Sequence, residues 1–236
     1  MVAPREGAFP SGPSGALFHA VTERFAFFVD AAFLKAEGAK ALGFPGWQTR
    51  LDARFAVDAF RHLGESRGGT LLRCYWYDGA FPARDSRAES QKRYLDAIAL
   101  TPGLALRLGT VKSLTPSWLH ALKRSLEKHG LDPDSLGLRL GPIDFQKGVD
   151  TLIALDLARL AQKQAFATAF LVAGDRDLLD AVHAAQDEGR AVVLVYPDGA
   201  GVDPDLRRSA DDVVSLSRDD LARFFSERSE VGEEGR

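Results

Sequence analysis

The sequence contains one cysteine, Cys74, among its 236 residues. An intrachain disulfide and a thiolate zinc cluster are therefore excluded, and the composition fits a reducing cytosol. No apolar run approaches the roughly 20 residues of a membrane span. The chain also lacks a basic N-terminal segment followed by an apolar stretch, so secretion is not expected. We therefore expect a cytoplasmic protein that does not enter a membrane.

Several motifs for common cofactors and catalytic groups are also missing. No G-x-G-x-x-G follows the first predicted strand, and there is neither a Walker lysine loop nor a G-x-S-x-G elbow. The five histidines share no ligand spacing, which argues against a zinc site. Nicotinamide-dependent, nucleotide-hydrolysing and serine-hydrolase functions therefore lose their usual support.

The composition is that of a folded domain. Apolar residues make up 45% of the chain, which is enough for a full core. The net charge of −3 argues against a protein devoted to coating nucleic acid, although it permits a local basic surface beside an acidic pocket. We predict a single domain at 21–226, a flexible leader rich in proline and glycine at 1–20, and a charged flexible tail at 227–236.

Within the domain, apolar runs alternate with helical patterns. This order predicts an α/β fold with parallel strands joined by right-handed crossovers. The region at about 113–146 interrupts the alternation, and we predict a helical insertion there, with its helix at Trp118–His129. The other predicted helices are Leu51–Leu63, Arg87–Leu100, 148–164, Leu178–Asp187 and Asp219–Phe225. The predicted strands are Phe25–Val29, Thr70–Tyr77 (ended by Asp78-Gly79), Leu104–Val111, Ala167–Ala173, Ala191–Tyr196 and Asp212–Leu216.

Four aspartates follow strands or open helices in this pattern: Asp30, Asp150, Asp175 and Asp177. The carboxyl ends of parallel strands meet at one edge of a sheet, and carboxylates gathered there are best neutralised by a hard cation such as Mg²⁺ or Mn²⁺. Each aspartate alone is also explained as a helix cap or a first-turn acid. Asp177 is the informative one, because a second carboxylate close to Asp175 adds repulsion that capping does not need. We therefore predict that all four are catalytic and bind metal.

Other residues are candidates for supporting roles. Asp156 falls on the apolar side of its helix, so it is either a structural acid bonded to a nearby base or a residue that holds a ligand or metal-bound water. Lys147, Arg176 and Lys112 are either phosphate contacts or ordinary surface charges. The three aromatic residues at 75–77 are candidate stacking platforms for bases, and core packing explains Tyr75 and Tyr77 equally well.

Three segments resemble the NYN domains, and most closely the LabA-like branch of the PIN-like nuclease superfamily. They are Val29-Asp30-Ala31-Ala32-Phe33-Leu34, Gln146-Lys147-Gly148-Val149-Asp150 followed by Asp156, and Ala173-Gly174-Asp175-Arg176-Asp177-Leu178. The resemblance spans roughly 24–217. It implies a three-layer α/β/α sandwich with a mainly parallel sheet, and a nuclease dependent on Mg²⁺ or Mn²⁺, with its acids at Asp30, Asp150, Asp175 and Asp177. One departure is Phe33, where many NYN domains carry an asparagine.

The residues and the resemblance agree on a metal-dependent nuclease, with single-stranded RNA favoured over DNA as its substrate. The main alternative is a non-catalytic module of the same fold that binds RNA or protein with a degenerate site. A phosphatase with an aspartyl nucleophile is a further alternative, but it needs D-x-D after the first strand, and Ala32 occupies the second position. The oligomeric state stays open, a homodimer being one option.

Overall fold

The computed structural model describes residues 23–44, 49–114, 117–132 and 143–227. Within these ranges the strands are β1 (Arg24–Asp30), β2 (Thr49–Leu51), β3 (Thr70–Ala80), β4 (Leu104–Leu114), β5 (Ile143–Lys147), β6 (Thr168–Val172), β7 (Ala191–Pro197), β8 (Asp212–Leu216) and β9 (Phe225–Glu227). The helices are α1 (Ala31–Leu42), α2 (Ala53–Glu65), α3 (Ala88–Ala99), α4 (Ser117–Lys128), α5 (Val149–Gln162), α6 (Leu179–Asp187), α7 (Pro204–Ser209) and α8 (Arg218–Ala222), and a short 3₁₀ helix (Arg176–Leu178) precedes α6.

Seven strands form one sheet in the order β5-β4-β3-β1-β6-β7-β8. All neighbours are parallel except β4 and β5. Strands β2 and β9 pair separately as a small antiparallel sheet. Residues of α1, α2 and α8 pack on one face of the large sheet, and residues of α5 and α6 pack on the other. The predicted three-layer α/β/α sandwich with a mainly parallel sheet is therefore confirmed.

Strand β1 runs through the centre of this sandwich. Phe25, Phe27 and Val29 face one helical layer, whereas Ala26 and Phe28 face the other. The Phe27 ring stacks on Phe60 and Phe170 at centroid distances of 4.7 and 4.6 Å. Because both faces of β1 are buried, its sequence is a continuous apolar run rather than an alternating one. Cys74 of β3 is buried in the same core.

The strand order reverses between β1 and β6, and we call the carboxyl edge of the sheet at this point the crevice. From β1 the chain builds β3, β4 and β5 on one side, then crosses back through α5 to place β6 on the other side of β1. Helix α1 leaves the end of β1 towards one layer, and α6 follows β6 into the opposite layer. Such a reversal of strand order is where open α/β sheets bind their ligands.

Some predicted boundaries were wrong. Strand β3 does not end before Asp78-Gly79, because both residues pair with β4. Leu51 belongs to β2, so α2 begins only at Ala53, after its cap Asp52. Phe225 starts β9 rather than ending the last helix. Pairing with distant strands decides these positions, and local patterns do not report it.

The predicted insertion at 113–146 needs a larger correction. Its helix is present as α4, but 113–114 and 143–146 belong to the sheet, in β4 and the antiparallel strand β5. Residues 115–116 and 133–142 lie outside the described ranges, as do the predicted leader and all of the predicted tail except Glu227, which ends β9. Among the helices described, none has the length and apolar character needed to cross a membrane.

Candidate metal centre

Asp30 lies at the carboxyl end of β1 and caps α1. Its Oδ1 accepts hydrogen bonds from the backbone N–H groups of Ala32 at 2.9 Å and Phe33 at 3.1 Å. Burial raises the pKa of Asp30 to about 6; the hydrogen bond from Phe33 opposes this rise, and the charge of Asp150 adds to it. Among the described residues these two bonds use only Oδ1, so Oδ2 is available to a cation.

Asp150 reaches the same crevice from the first turn of α5. That helix begins against β4, where a Cβ on Gly109 would lie 2.8 Å from Val149 Cγ2 and 2.9 Å from the Lys147 carbonyl oxygen. Glycine at 109 therefore lets α5 start close to the sheet. Burial raises the pKa of Asp150, and the charges of Asp175 and Asp177 raise it further.

Asp175 and Asp177 follow β6. Asp175 caps the 3₁₀ helix, and its Oδ1 accepts a hydrogen bond from the Asp177 N–H at 3.0 Å. Both side chains are exposed. A Cβ on the preceding Gly174 would lie 2.5 Å from Phe33 Cε2 and 2.9 Å from the Gly201 carbonyl oxygen. The Phe33 ring therefore packs on the backbone of this loop, at the position where many NYN domains carry asparagine.

These four aspartates lie at the same edge of the sheet. Asp150 contributes to the raised pKa of Asp30, and Asp175 and Asp177 contribute to that of Asp150. Asp150 therefore lies within the range of charge–charge interaction with Asp30, Asp175 and Asp177. Chemically, this donor set fits a hard divalent cation.

The carboxylates are neighbours rather than a finished coordination shell. Within the described ranges, no three acidic, histidine or cysteine side chains are grouped closely enough to hold a metal ion. A bound cation would therefore have to draw these side chains together by rotation about their χ angles. Such rotation is compatible with the exposure of Asp175 and Asp177.

Sequence reasoning missed a fifth carboxylate, Asp78. Its charge contributes to the raised pKa of Asp30, and burial raises its own pKa. Asp78 Oδ1 accepts hydrogen bonds from Gly79 N–H at 2.8 Å and from Gln146 Nε2 at 3.0 Å. The signal was present, because Asp78 follows an apolar strand as Asp30 does, but Asp78-Gly79 is also a common turn sequence.

Asp156 lies deeper in α5 and is fully partnered. Its Oδ2 accepts hydrogen bonds from Tyr77 Oη at 3.1 Å and Arg107 Nε at 3.2 Å, and its Oδ1 accepts one from Arg159 Nη2 at 3.1 Å. Asp156 is 6% exposed. Tyr77 is the direct neighbour of Asp30 across β3 and β1, so Asp156 is linked to the crevice through one side chain.

The three predicted phosphate contacts lie in different settings. Lys147 ends β5, three residues before Asp150, and Lys112 lies on β4 opposite Phe145. Both lysines are exposed. Arg176 adjoins Asp175 and forms an ion pair with Asp205 of α7. Tyr75, Trp76 and Tyr77 are 8%, 0% and 0% exposed and belong to the core. Core packing, the alternative given for Tyr75 and Tyr77, is therefore confirmed, and the interpretation of the three rings as stacking platforms was wrong.

The fold and the crevice define a PIN-like α/β domain with a carboxylate-lined edge. The NYN domain model matches residues 24–217, and the chain belongs to this family. NYN domains form part of the PIN-like nuclease superfamily, whose members generally use divalent metals. The match includes all four predicted acids.

Two similar proteins extend this comparison. The uncharacterized protein y4oD of Sinorhizobium fredii (strain NBRC 101917 / NGR234) is 38% identical over 103 residues, which cover 42% of this chain and 48% of that protein. The match therefore spans about half the length of this curated relative. A crystal structure of VPA0982, a protein of unknown function from Vibrio parahaemolyticus RIMD 2210633, has 16% identity and a TM-score of 0.50 over 87% of this chain and 97% of that one. At this identity the likeness concerns the fold alone.

Proposed function

We propose that this protein is a metal-dependent nuclease that hydrolyses phosphodiester bonds, with single-stranded RNA as its preferred substrate. The observation that supports the proposal is that Asp30, Asp175 and Asp177 follow the carboxyl ends of β1 and β6, with Asp150 near enough to Asp30 for the two charges to interact. Membership of the NYN family supports the reaction class. The preference for RNA over DNA rests on the resemblance to NYN domains.

In this proposal the four aspartates hold Mg²⁺ or Mn²⁺. A divalent ion held by them would supply hydroxide near neutral pH and would stabilise the charge that develops on the phosphate and on the leaving oxygen. Asp30 and Asp175 each use one oxygen, Oδ1, to accept a backbone N–H. In this proposal their other oxygen binds the ion. Asp156 is a positioning residue, because its bonds to Tyr77 and Arg107 fix α5 against the sheet and so place Asp150.

The basic side chains near the crevice are proposed to contact the phosphate backbone. Lys147 and Lys112 are exposed at the β4–β5 edge, and Arg176 adjoins Asp175. Contacts of this kind are independent of base sequence and weaken as salt rises. The Arg176 guanidinium is shared with Asp205, so we expect it to contribute less than the two lysines.

The decisive experiment compares cleavage of end-labelled single-stranded RNA and DNA of one sequence by the wild type and by Asp175→Asn. Each reaction is run with Mn²⁺, with Mg²⁺ and with EDTA. We expect the wild type to cleave RNA only when metal is present, and Asp175→Asn to lose this activity. Undiminished cleavage by Asp175→Asn, or cleavage by the wild type that survives EDTA, would contradict the proposal.

A matched control is available in the same loop region. Asp180 is an exposed aspartate in the first turn of α6 and lies outside the proposed metal set. Asp180 lies three residues beyond Asp177, and Asp180→Asn makes the same chemical change as Asp175→Asn. It should cleave at the wild-type rate, which separates loss of a ligand from a general loss of negative charge.

A second candidate function is a non-catalytic module that binds RNA or protein. Two observations favour it: Phe33 replaces the asparagine of many relatives, and the described carboxylates are not yet grouped as metal ligands. Titration of the metal-free protein with Mn²⁺, followed by electron paramagnetic resonance, separates the two functions. Stoichiometric binding that is lost in Asp150→Asn supports the nuclease, whereas no binding supports the module.

A further inference from the structure

Strands β4 and β5 project beyond the carboxyl end of β3. The last pair between β3 and β4 is Ala80 with Thr110, but β4 continues to Leu114 and pairs with β5 along this extension. We call residues 110–114 and 143–147 together the ribbon. Its base lies at the same edge of the sheet as the carboxylate crevice, because Lys147 is three residues before Asp150.

One face of the ribbon combines two lysines with an aromatic ring. Lys112 lies directly opposite Phe145, and Thr110 lies opposite Lys147. Directly opposed residues of antiparallel strands point to the same side, and residues two apart along a strand share a face. Lys112, Phe145 and Lys147 therefore lie together on one face, with the ring next to both cations. The exposed side chains of Leu114 and Ile143 share this face at the far end of the ribbon.

The acidic residue of β5 lies on the opposite face and is neutralised there. Asp144 forms an ion pair with Arg87 and accepts a hydrogen bond from Ser113. Gln146, on that same face, donates a hydrogen bond to Asp78. The face that carries Lys112 and Lys147 is thus left basic, although the chain as a whole has a net charge of −3.

The basic face is accessible. Phe145 is 39% exposed, whereas most of the aromatic rings that pack this fold are buried. Lys112 and Lys147 are exposed as well, and neither forms an ion pair with any residue in the described part of the chain. The two ammonium groups distinguish this face from a purely apolar docking surface, because burying them unpaired against a protein would cost desolvation energy.

We infer that this face of the ribbon is a platform for single-stranded nucleic acid that leads the strand to the carboxylate crevice. A base stacks on Phe145, and the adjoining phosphates contact Lys112 and Lys147. Alternation of aromatic and cationic side chains is the usual means of binding unpaired strands without sequence preference. The inference rests on the proposed nuclease function, because it makes the ribbon the approach path of the substrate of that site.

The test measures binding separately from cleavage. Fluorescence anisotropy of a fluorescein-labelled uridine 12-mer is followed with the full chain in EDTA, where no metal-dependent cleavage takes place. Phe145→Ala should weaken binding by about 5- to 150-fold, the range expected for loss of one stacked base. Phe145→Trp should bind at least as well as the wild type, because it keeps an aromatic face.

Two further variants complete the test. Lys112→Ala should lower the affinity and reduce the slope of log K against log salt by about 0.7, which corresponds to one phosphate contact on a single strand. Leu100→Ala removes a side chain that is 82% exposed after α3, at the amino edge of the sheet, and should bind as the wild type does. Thermal unfolding of each variant verifies that the fold is retained.

Three results would overturn the platform. The first is that the wild type shows no measurable binding at low salt, and the second is that Phe145→Ala binds with the same affinity as the wild type. The third is that sedimentation shows a dimer, and that Phe145→Ala dissociates this dimer without changing the affinity for the oligonucleotide. The last result would assign the face to a second copy of the chain. If binding depends on Phe145 but no cleavage occurs in Mn²⁺, the platform is supported and the nuclease is rejected. If cleavage occurs in Mn²⁺ but binding does not depend on Phe145, the nuclease is supported and the platform is rejected.

Discussion

Asp150 and Asp156 lie on the same helix, less than two turns apart, in opposite electrostatic surroundings. Asp156 is buried and bonded to Arg107, Arg159 and Tyr77. Asp150 faces the crevice, where the neighbouring charges that raise its pKa are the carboxylates of Asp175 and Asp177. The sequence already separates them, because Asp150 opens the helix and Asp156 falls on its apolar side, but it does not show which cations each one meets.

The comparison shows how a structural carboxylate differs from a candidate ligand. A buried acid with its own cations has no need of an ion, and removing it leaves partners unsatisfied. An acid surrounded by other acids is destabilised until something positive binds. The presence or absence of compensating cations, rather than burial alone, therefore separates the roles of these two residues.

The largest expected effect is on cleavage. Asp150→Asn should lower the metal-dependent cleavage rate by about a thousandfold, because it removes a proposed ligand. Asp156→Asn should lower it by about 10- to 100-fold, as residues that orient ligands generally do. Initial rates on labelled RNA at saturating Mn²⁺ provide the measurement. Equal rates for the two variants would remove the distinction drawn between them.

The next effect concerns stability in metal-free buffer. Burial raises the pKa of Asp30 to about 6 from 3.8, so folding is favoured while the group is protonated, and this advantage is lost as pH rises from about 4 through 6. Asp30→Asn keeps the cap without the charge. It should be more stable than the wild type at pH 7.5 by on the order of 3 kcal/mol, and no more stable at pH 3.5. Urea unfolding at both pH values tests this, and a gain that is the same at the two would contradict it.

A smaller effect is expected at Gly174. Gly174→Ala places a Cβ against the Phe33 ring and the Gly201 carbonyl oxygen, so it should destabilise the fold by about 1–3 kcal/mol and displace Asp175. The double variant Gly174→Ala with Phe33→Leu relieves only the contact with the side chain. Denaturation of the single and double variants should therefore show partial recovery, and full recovery would mean that the contact with Gly201 is unimportant.

The smallest effect is the structural cost at Asp156. Asp156→Asn weakens the bonds to Arg107 and Arg159, whose side chains are 39% and 52% exposed and can be rehydrated. The expected loss of unfolding free energy is about 1–2 kcal/mol. Asp150→Asn should show no loss in the same assay without metal. A loss at Asp150 as large as that at Asp156 would mean that both carboxylates are structural.

Much of this architecture follows from local patterns. The continuous apolar run at Phe25–Val29 predicted a strand buried on both faces, and the aspartate that follows it predicted a residue at the carboxyl edge. Strand β5 was not predicted, because an edge strand that contains Asp144, Gln146 and Lys147 has no apolar run. The bond between Asp156 and Arg107 was not predicted either, because Arg107 lies on another strand and becomes a neighbour only after folding.

The enclosed position of Cys74 has a practical consequence. Its thiol is fully buried in β3, and burial raises its pKa far above the usual range, so the native protein presents no reactive sulfhydryl of its own. A cysteine introduced at any exposed site would then be the sole group alkylated under native conditions. Paired spin labels or dyes can thus report distances across the crevice, with the natural residue left in place.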